Sequence, residues 1–469
     1  MIKLKKIISQ LDSEIYRAIE KTLVKNKSEN FLCLLQSYRE NLNDEQVIKK
    51  LNLNSNSFYV LKSRLYHKIQ QELSGDIHDN REGLLKKLNL VTGMCLSEPR
   101  DVAVAFLKKL EEDLLKYDMH NELLIVYSAL KKVHLYSEKY FQYSQLYNKH
   151  IAFGLCLEKA EEILGNFNRM LGQYNFSRVP KIIETLLFMR KEVNDHFSLN
   201  PSRQVEIVKN FLELQLCIFC HTDLNKEINA EELLHHTHKL IEELPESSCQ
   251  KKWVPALEHL YFEYYYKTGN TKAATTFYEK VNSGISTLFL YSNISCTSRF
   301  LISKLGFLEL QGKEKELVGG DRKNILFDVN DMHTKVLMGM YDSMAEVYSK
   351  NFKESANKLN KLLNENSFKD YFHINTDIKI SLAYTYILLH EYDMADSILK
   401  GVYRKIKAEK ITNYAHVLDL LKVLEADVRK RGGPLSSKQK DSITLFMARN
   451  KGETQILSHL QGALAKNYS

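Results

Sequence analysis

The residues best suited to chemistry are thiols and imidazoles near the middle of the chain. Cys217-Ile218-Phe219-Cys220-His221 has the C-x-x-C-H spacing of a covalent haem attachment. His235, His236 and His238 follow at a distance that resembles a zinc-site loop. The context opposes both readings. The cysteines end an apolar run (Phe211, Leu212, Leu214, Leu216), and no export signal precedes them. His235 and His238 stand closer together than zinc-finger ligands do, and the residues between Cys220 and His235 read as helix, loop and helix. The expectation is packing cysteines, solvated histidines, and neither metal nor cofactor. The chain also has no Gly-rich phosphate loop, dinucleotide fingerprint, H-E-x-x-H or nucleophile elbow. Carboxylates such as Glu111, Glu112 and Asp113 fit helix-surface ion pairing at i to i+4. A binding protein is expected, not an enzyme.

Two segments have the chemistry of polyanion contacts. In residues 30–73, a helix around Phe31 to Leu35 precedes Asp44, read as a cap before Glu45 to Leu51. The turn Asn52-Leu53-Asn54 follows, and Ser55 is read as capping a helix that runs to Leu73. This is helix-turn-helix spacing. A stripe of Phe58, Leu61, Leu65, Ile69 and Leu73 would be buried, leaving Asn56, Ser57, Tyr59, Lys62, Ser63 and Tyr66 outward as candidate DNA contacts. Leu61-Lys62-Ser63-Arg64-Leu65 is similar to the end of the recognition helix in sigma-factor-type DNA-binding domains, which implies DNA as a partner of residues 28–75. The second segment, 400–440, holds eleven Lys/Arg against four Asp/Glu within a chain of net charge +8. Arg404, Lys405 and Lys407 are its candidate contacts for an anionic partner, such as RNA; a solvated lysine-rich face is the plainer alternative.

The elements that must position these residues read as helices throughout. Only 6 Pro and 18 Gly occur in 469 residues, roughly half the ordinary share or less, so strand and turn punctuation is scarce. Apolar stripes recur at helical spacing, as in Val102, Phe106, Leu107, Leu110, Leu114 and in Leu233, Leu234, Thr237, Ile241, Leu244. Leu4, Ile7, Ile8, Leu11, Ile15, Ile19 and Leu23 predict one first helix of about 24 residues. Breaks at 74–80, at 312–324 and at Arg431-Gly432-Gly433-Pro434 divide the chain into residues 1–75, 81–318, 324–431 and a C-terminal cap at 435–469. No apolar run approaches the roughly 18 residues of a membrane span, and the basic N-terminus does not read as a signal peptide. Seven irregularly spaced cysteines suit a reducing compartment, so a cytoplasmic location without membrane insertion is expected.

Leu382-Ala383, Tyr386, Tyr392, Ala395, Leu399 and Val402 resemble a tetratricopeptide repeat: a large-small pair, an aromatic one turn later, then an aromatic and a small residue opening the second helix. Tyr261, Tyr265, Gly269, Ala274, Tyr278 and Val281 resemble a second, departing from the pattern at Phe262. Phe352, Ser355, Leu359 and Leu362 fit the second helix of a third. The expected fold is therefore all-α, with antiparallel helical hairpins stacked as a solenoid and a small N-terminal module. Such a solenoid implies a scaffold gripping a peptide or partner protein in a groove, with Lys379 and Tyr384 as candidate contacts. The alternative is a transcriptional regulator that joins the N-terminal module to a sensing solenoid.

Overall fold

The computed structural model describes residues 4–11, 13–25, 28–75, 80–97, 100–177, 179–220, 227–244, 248–285, 294–313, 316, 332–369, 371–408, 415–433 and 436–449. Among these, every regular element is an α-helix. The chain divides into two compact units, Met1–Leu90 and Val91–Ser469. That division falls inside a helix, Asn80–Ser97, rather than at the polar break before it.

The first unit begins with α1 (Leu4–Gln10), α2 (Ser13–Lys25), α3 (Glu29–Arg39), α4 (Asp44–Leu51) and α5 (Ser55–Gly75), followed by α6 (Asn80–Ser97), which crosses into the second. The single first helix expected from the apolar stripe is two helices. Arg39 explains how the break is stabilised: its Nη1 donates to the carbonyls of Ile8 at 3.1 Å and Leu11 at 3.0 Å, groups that a helix end leaves without partners. Leu4, Ile8, Leu11, Ile19 and Leu23 are nevertheless all buried, so the stripe located the core but not the bend.

In the second unit α7 (Arg100–Lys116), α8 (His120–Val133), α9 (Lys139–Ser177), α10 (Pro180–Leu199) and α11 (Arg203–Phe219) pack each on the next. Then come α12 (Ala230–Glu242), α13 (Ser248–Thr268), α14 (Thr271–Ser283), α15 (Ile294–Leu310), α16 (Met332–Tyr348), α17 (Phe352–Glu365), α18 (Phe372–Leu388), α19 (Tyr392–Ala408), α20 (Ala415–Lys430) and α21 (Ser437–Arg449). Pairs α13/α14, α16/α17 and α18/α19 are hairpins. Gly269, Lys350 and His390 lie just past their first helices with φ of +79°, +61° and +60°. The N–H after each returns to the carbonyl five residues back: Asn270 to Tyr265 at 3.0 Å, Asn351 to Glu346 at 2.9 Å, Glu391 to Tyr386 at 2.9 Å. This closure satisfies carbonyls that the helix end would otherwise orphan. The same closure ends helices outside these hairpins, at Asn41, Asn52, Asp118 and Gly312.

The residues singled out at the hairpins are packing residues. Ala383, Ala395 and Leu399 have no exposed surface, and Ala274 and Val281 have almost none. Small side chains at these positions let paired helices approach closely. Gly339 on α16 serves the same end, since a Cβ there would lie 2.6 Å from a Leu362 methyl on α17.

The 39-residue α9 is the element that sequence periodicity did not single out. Beyond its neighbours α8, α10 and α11, it also packs against α15, α16 and α18, far along the chain. Ala160, Ile163, Phe167 and Leu171 carry its contribution to the shared core. A face of the later hairpins is therefore covered by a helix of the same chain.

Candidate interaction surfaces

In the first unit the turn 52–54 joins α4 to α5, with Asn52 left-handed at φ +49°. The caps differ from those expected. Asn43, not Asp44, caps α4: its side chain accepts from the Gln46 N–H, and Gln46 reciprocates on the Asn43 N–H, both at 2.9 Å. Asn54, not Ser55, caps α5 by accepting from the Ser57 N–H at 2.8 Å.

Asp44 is thereby freed for another role, and this changes the reading of Lys62. The Lys62 ammonium lies 2.8 Å from Asp44 Oδ2, and its residue is only 8% exposed. It also sits 5.5 Å from the Tyr38 ring centroid and 5.8 Å from that of Phe58. Tyr38 donates to the other Asp44 oxygen at 2.6 Å. Burial pushes the Asp44 carboxyl up, but the bonds from Lys62 and Tyr38 outweigh it and hold the group below its ordinary value. Lys62 is a structural cation, not an outward DNA contact. Helical spacing puts it on the outer surface, but the curvature of the packing brings α3 and α4 against it.

The other candidates separate by exposure. Asn56, Ser57 and Tyr59 are exposed, whereas Ser63 and Tyr66 are half-buried. Phe58, Leu65 and Ile69 form the buried stripe with Leu61 at its margin; the side chain of Leu73 lies outside the described residues. Arg64, Lys49 and Lys50 are exposed on the same pair of helices.

In the second unit the candidate groove residues are not alike. Lys379 is half-buried, but Tyr384 is fully buried on α18, so its ring is a core group and not a groove contact. α18 packs against α17, α19 and α20 and also against α9, so neighbours close on it from several sides. Arg404, Lys405 and Lys407 are exposed on α19. The Lys405 ammonium lies 5.1 Å from the Phe372 ring centroid and that of Lys407 4.5 Å from the Tyr403 centroid, so both charges sit over aromatic faces. Lys400, Lys422 and Arg429 in this basic stretch each pair with a carboxylate on their own helix.

Cys217 and Cys220 are buried, and His221 lies outside the described residues. The three downstream histidines face other partners: His235 meets the Tyr261 hydroxyl at 3.1 Å, His236 meets Glu206 at 2.8 Å, and His238 meets Glu242 at 3.2 Å. No group of metal-ligating side chains assembles among the described residues.

Sequence reading missed a buried polar cluster between α13 and α15. His259 Nε2 lies 3.2 Å from Glu263 Oε1, and both residues are almost wholly enclosed. Arg299, across on α15, stacks its guanidinium 3.7 Å from the Phe219 ring centroid and reaches Asn175 of α9 at 3.4 Å. Burial alone pushes Glu263 up; His259, Arg299 and Ser303 reverse the shift and hold it below its ordinary value. The i to i+4 spacing of His259 and Glu263 was the available signal, lost among many surface pairs of the same form.

A cleft of about 190 Å3 opens between α12 and α13, floored by Ile241, Leu257 and Tyr261 and rimmed by His238, Glu242, Val254 and Glu258. Burial raises the Glu258 carboxyl above its ordinary value, only partly offset by the charges of Lys280 and His238. A desolvated carboxylate over an apolar floor suits the end of a basic side chain with an aliphatic stem. No described helix is long and apolar enough to cross a membrane. No known protein family, curated protein or solved structure matches this chain.

Proposed function

We propose that this chain is a protein-interaction scaffold, its second unit built from tetratricopeptide-like hairpins that present binding sites on surfaces α9 leaves uncovered. The observation that carries this reading is the cleft between α12 and α13, which joins an apolar floor to the desolvated carboxylate of Glu258. It lies on one of the two hairpin-forming segments whose residues best fit the repeat pattern. Its occupant would be a Lys or Arg side chain of a partner peptide, with apolar neighbours resting on Val254 and Leu257.

The test is peptide display against the full chain, in parallel with Glu258→Lys and Val254→Asp. Peptides with a basic residue flanked by apolar ones should be enriched by the parent and lost in both variants. No reproducible enrichment, or enrichment untouched by the substitutions, would sink the reading.

A second reading, a DNA-binding regulator, is favoured by the arrangement of α4 and α5 with exposed Asn56, Ser57, Tyr59 and Arg64. Its test is a gel shift with the full chain at two salt concentrations. Specific retention should fall steeply with salt and weaken in Arg64→Ala and Asn56→Ala; salt-independent behaviour removes it.

A further inference from the structure

Six rings stack in a row along the packing surface between α8 and α9. His134, just past the end of α8, lies 5.4 Å from Tyr143, centroid to centroid. Tyr127 follows at 6.4 Å, His150 at 5.2 Å and His120 at 5.1 Å, and Phe153 closes the row 4.8 Å beyond. Three of these rings are histidines, and His120 and His134 stand at the two ends of α8.

Both ends depend on neutral imidazoles. Arg100 of α7 places Nη2 3.0 Å from His134 Nδ1. A guanidinium only donates, so that ring nitrogen must keep its lone pair. At the other end His120 and His150 meet Nδ1 to Nδ1 at 3.0 Å, and one hydrogen at most fits between them. Protonating both rings would set two N–H groups and two charges head to head. His134 and His150 are only 6% and 4% exposed, so water shields little of either charge.

The surrounding charges do not rescue the imidazolium forms. Burial first, then Arg100, Lys139 and Lys108, lowers His134. Burial, then His120 and Lys149, lowers His150 to about 4 against Glu111 and Asp118. Burial lowers His120, with Glu122 opposing and Lys149 assisting. The two carboxylates facing His150 are themselves engaged, Glu111 with Lys108 at 2.7 Å and Asp118 with Arg203 at 3.4 Å.

Packing confines what this row can release. Among the described residues α7 packs mainly on α8, and α8 mainly on α7 and α9. The large core cluster of the unit begins at Cys156, near the middle of α9, and takes nothing from α7 or α8. Leu107, Leu114, Leu123 and Val126 are buried, but in a separate layer at this end.

We infer that the histidine row is an acid-operated latch: protonation releases α7 and α8 from α9 while the large core stays folded. The surface uncovered is the aromatic first half of α9, from Tyr143 to Phe153. Neither the peptide cleft nor the DNA reading is needed for this device. A histidine kept neutral in the closed form binds its proton more readily once released. Each one favours the open form about 30-fold more at pH 5 than at pH 7.5, for an ordinary value of about 6.5.

The experiment follows hydrogen exchange of the full chain by mass spectrometry at pH 7.5 and pH 5, corrected for intrinsic rates. Protection in residues 100–155 should fall at least about 30-fold between the two, and that of α10–α19 less than about threefold. Trp253, packed 4.8 Å from Phe211 within the large core, should keep its emission. His134→Asn with His150→Asn supplies acceptors that do not titrate in this range, and should shrink the fall at least about tenfold. Only the pH dependence is read, so a variant that starts from lower protection still decides. If the double variant exchanges too fast to follow at pH 7.5, His134→Asn alone is read in the same way. His236→Gln, at an exposed histidine of α12, should leave the fall unchanged. Unaltered protection in residues 100–155 at pH 5 would overturn the inference. So would a fall shared equally by α10–α19 with a shift in Trp253 emission, or one that the asparagine variants leave intact.

Discussion

Lys62 and Asp44 in the first unit, and His259, Glu263 and Arg299 in the second, are both clusters of ionisable groups supporting helix packing. The Asp44 side chain keeps 36% of its surface, so water shares its charge. Glu263 keeps 6% and His259 2%, so the protein alone must satisfy them. Coulomb attraction strengthens as the local dielectric falls, but the desolvation of an unpaired ion grows with it. The difference teaches that losing a member costs more in an enclosed cluster than in one that water partly reaches.

The largest expected effect follows directly. Glu263→Ala should destabilise the second unit by about 3–5 kcal/mol in urea denaturation, because it strands buried cationic and hydrogen-bonding groups. Glu263→Gln, which keeps the shape and an acceptor, should cost less. A loss below about 1 kcal/mol for Glu263→Ala would abolish the contrast with Asp44.

Acidification sharpens the comparison. His120 and His150 meet Nδ1 to Nδ1 at 3.0 Å between α8 and α9, with Phe153 stacked on His120. Burial first, then His120 and Lys149, lowers His150 to about 4, against opposing pulls from Glu111 and Asp118; burial also lowers His120, with Glu122 opposing. A histidine lowered on folding binds its proton more readily in the unfolded chain. Its stabilisation is therefore complete above about pH 6.5 and is lost as pH falls toward about 4. Asp44 and Glu263 are lowered carboxylates, whose contribution persists until pH falls below the ordinary carboxylate range. The second unit should thus begin to weaken at a higher pH than the first. Urea midpoints between pH 7.5 and pH 5 should fall by about 1–3 kcal/mol in equivalent stability, and His150→Phe should flatten the slope. An unchanged slope in that variant would assign the acid sensitivity elsewhere.

The Lys62 pair gives a smaller effect with a functional edge. Asp44→Ala should cost about 1–3 kcal/mol by leaving Lys62 beside two rings without its carboxylate, whereas Lys62→Met should stay within about 1 kcal/mol. If the chain binds DNA, Lys62→Met should leave the salt dependence intact while Arg64→Ala reduces it. The reverse order would place Lys62 at the phosphates and undo its structural assignment.

Helical periodicity made the all-α architecture legible, along with the packing faces: Ala383, Ala395, Phe58, Leu65 and Leu107 are all buried as their spacing required. Two kinds of information were not local. Spacing places Lys62 on an outward face, but its exposure depends on where α3 and α4 lie. Tyr384 was assigned to a groove, and a hairpin pattern contains no sign of which distant helices will pack on α18, one of them from about 200 residues earlier. Bends also escape periodicity when a distant residue stabilises them, as Arg39 does at the end of α1. Cys217 and Cys220 are buried, as their apolar neighbours led one to expect, a local fact.

The smallest effect concerns the turns, where two hairpins can be compared with a third of the same geometry. Gly269 occupies its left-handed position without a Cβ, while Lys350 and His390 adopt nearly the same φ with one. For an L-residue that conformation costs roughly 1 kcal/mol or more, because the Cβ crowds the following carbonyl. Glycine relieves the crowding but increases the freedom of the unfolded chain, which offsets part of the gain. Lys350→Gly should therefore raise stability by about 0.5–1 kcal/mol. His390→Gly should gain less, since the imidazole also bonds the Tyr392 hydroxyl at 2.8 Å. Paired urea curves resolve the order: a larger gain at His390 than at Lys350 would mean that this side-chain bond contributes nothing, and a loss at both would mean that the turns are set by unfolded-state entropy rather than by crowding at Cβ.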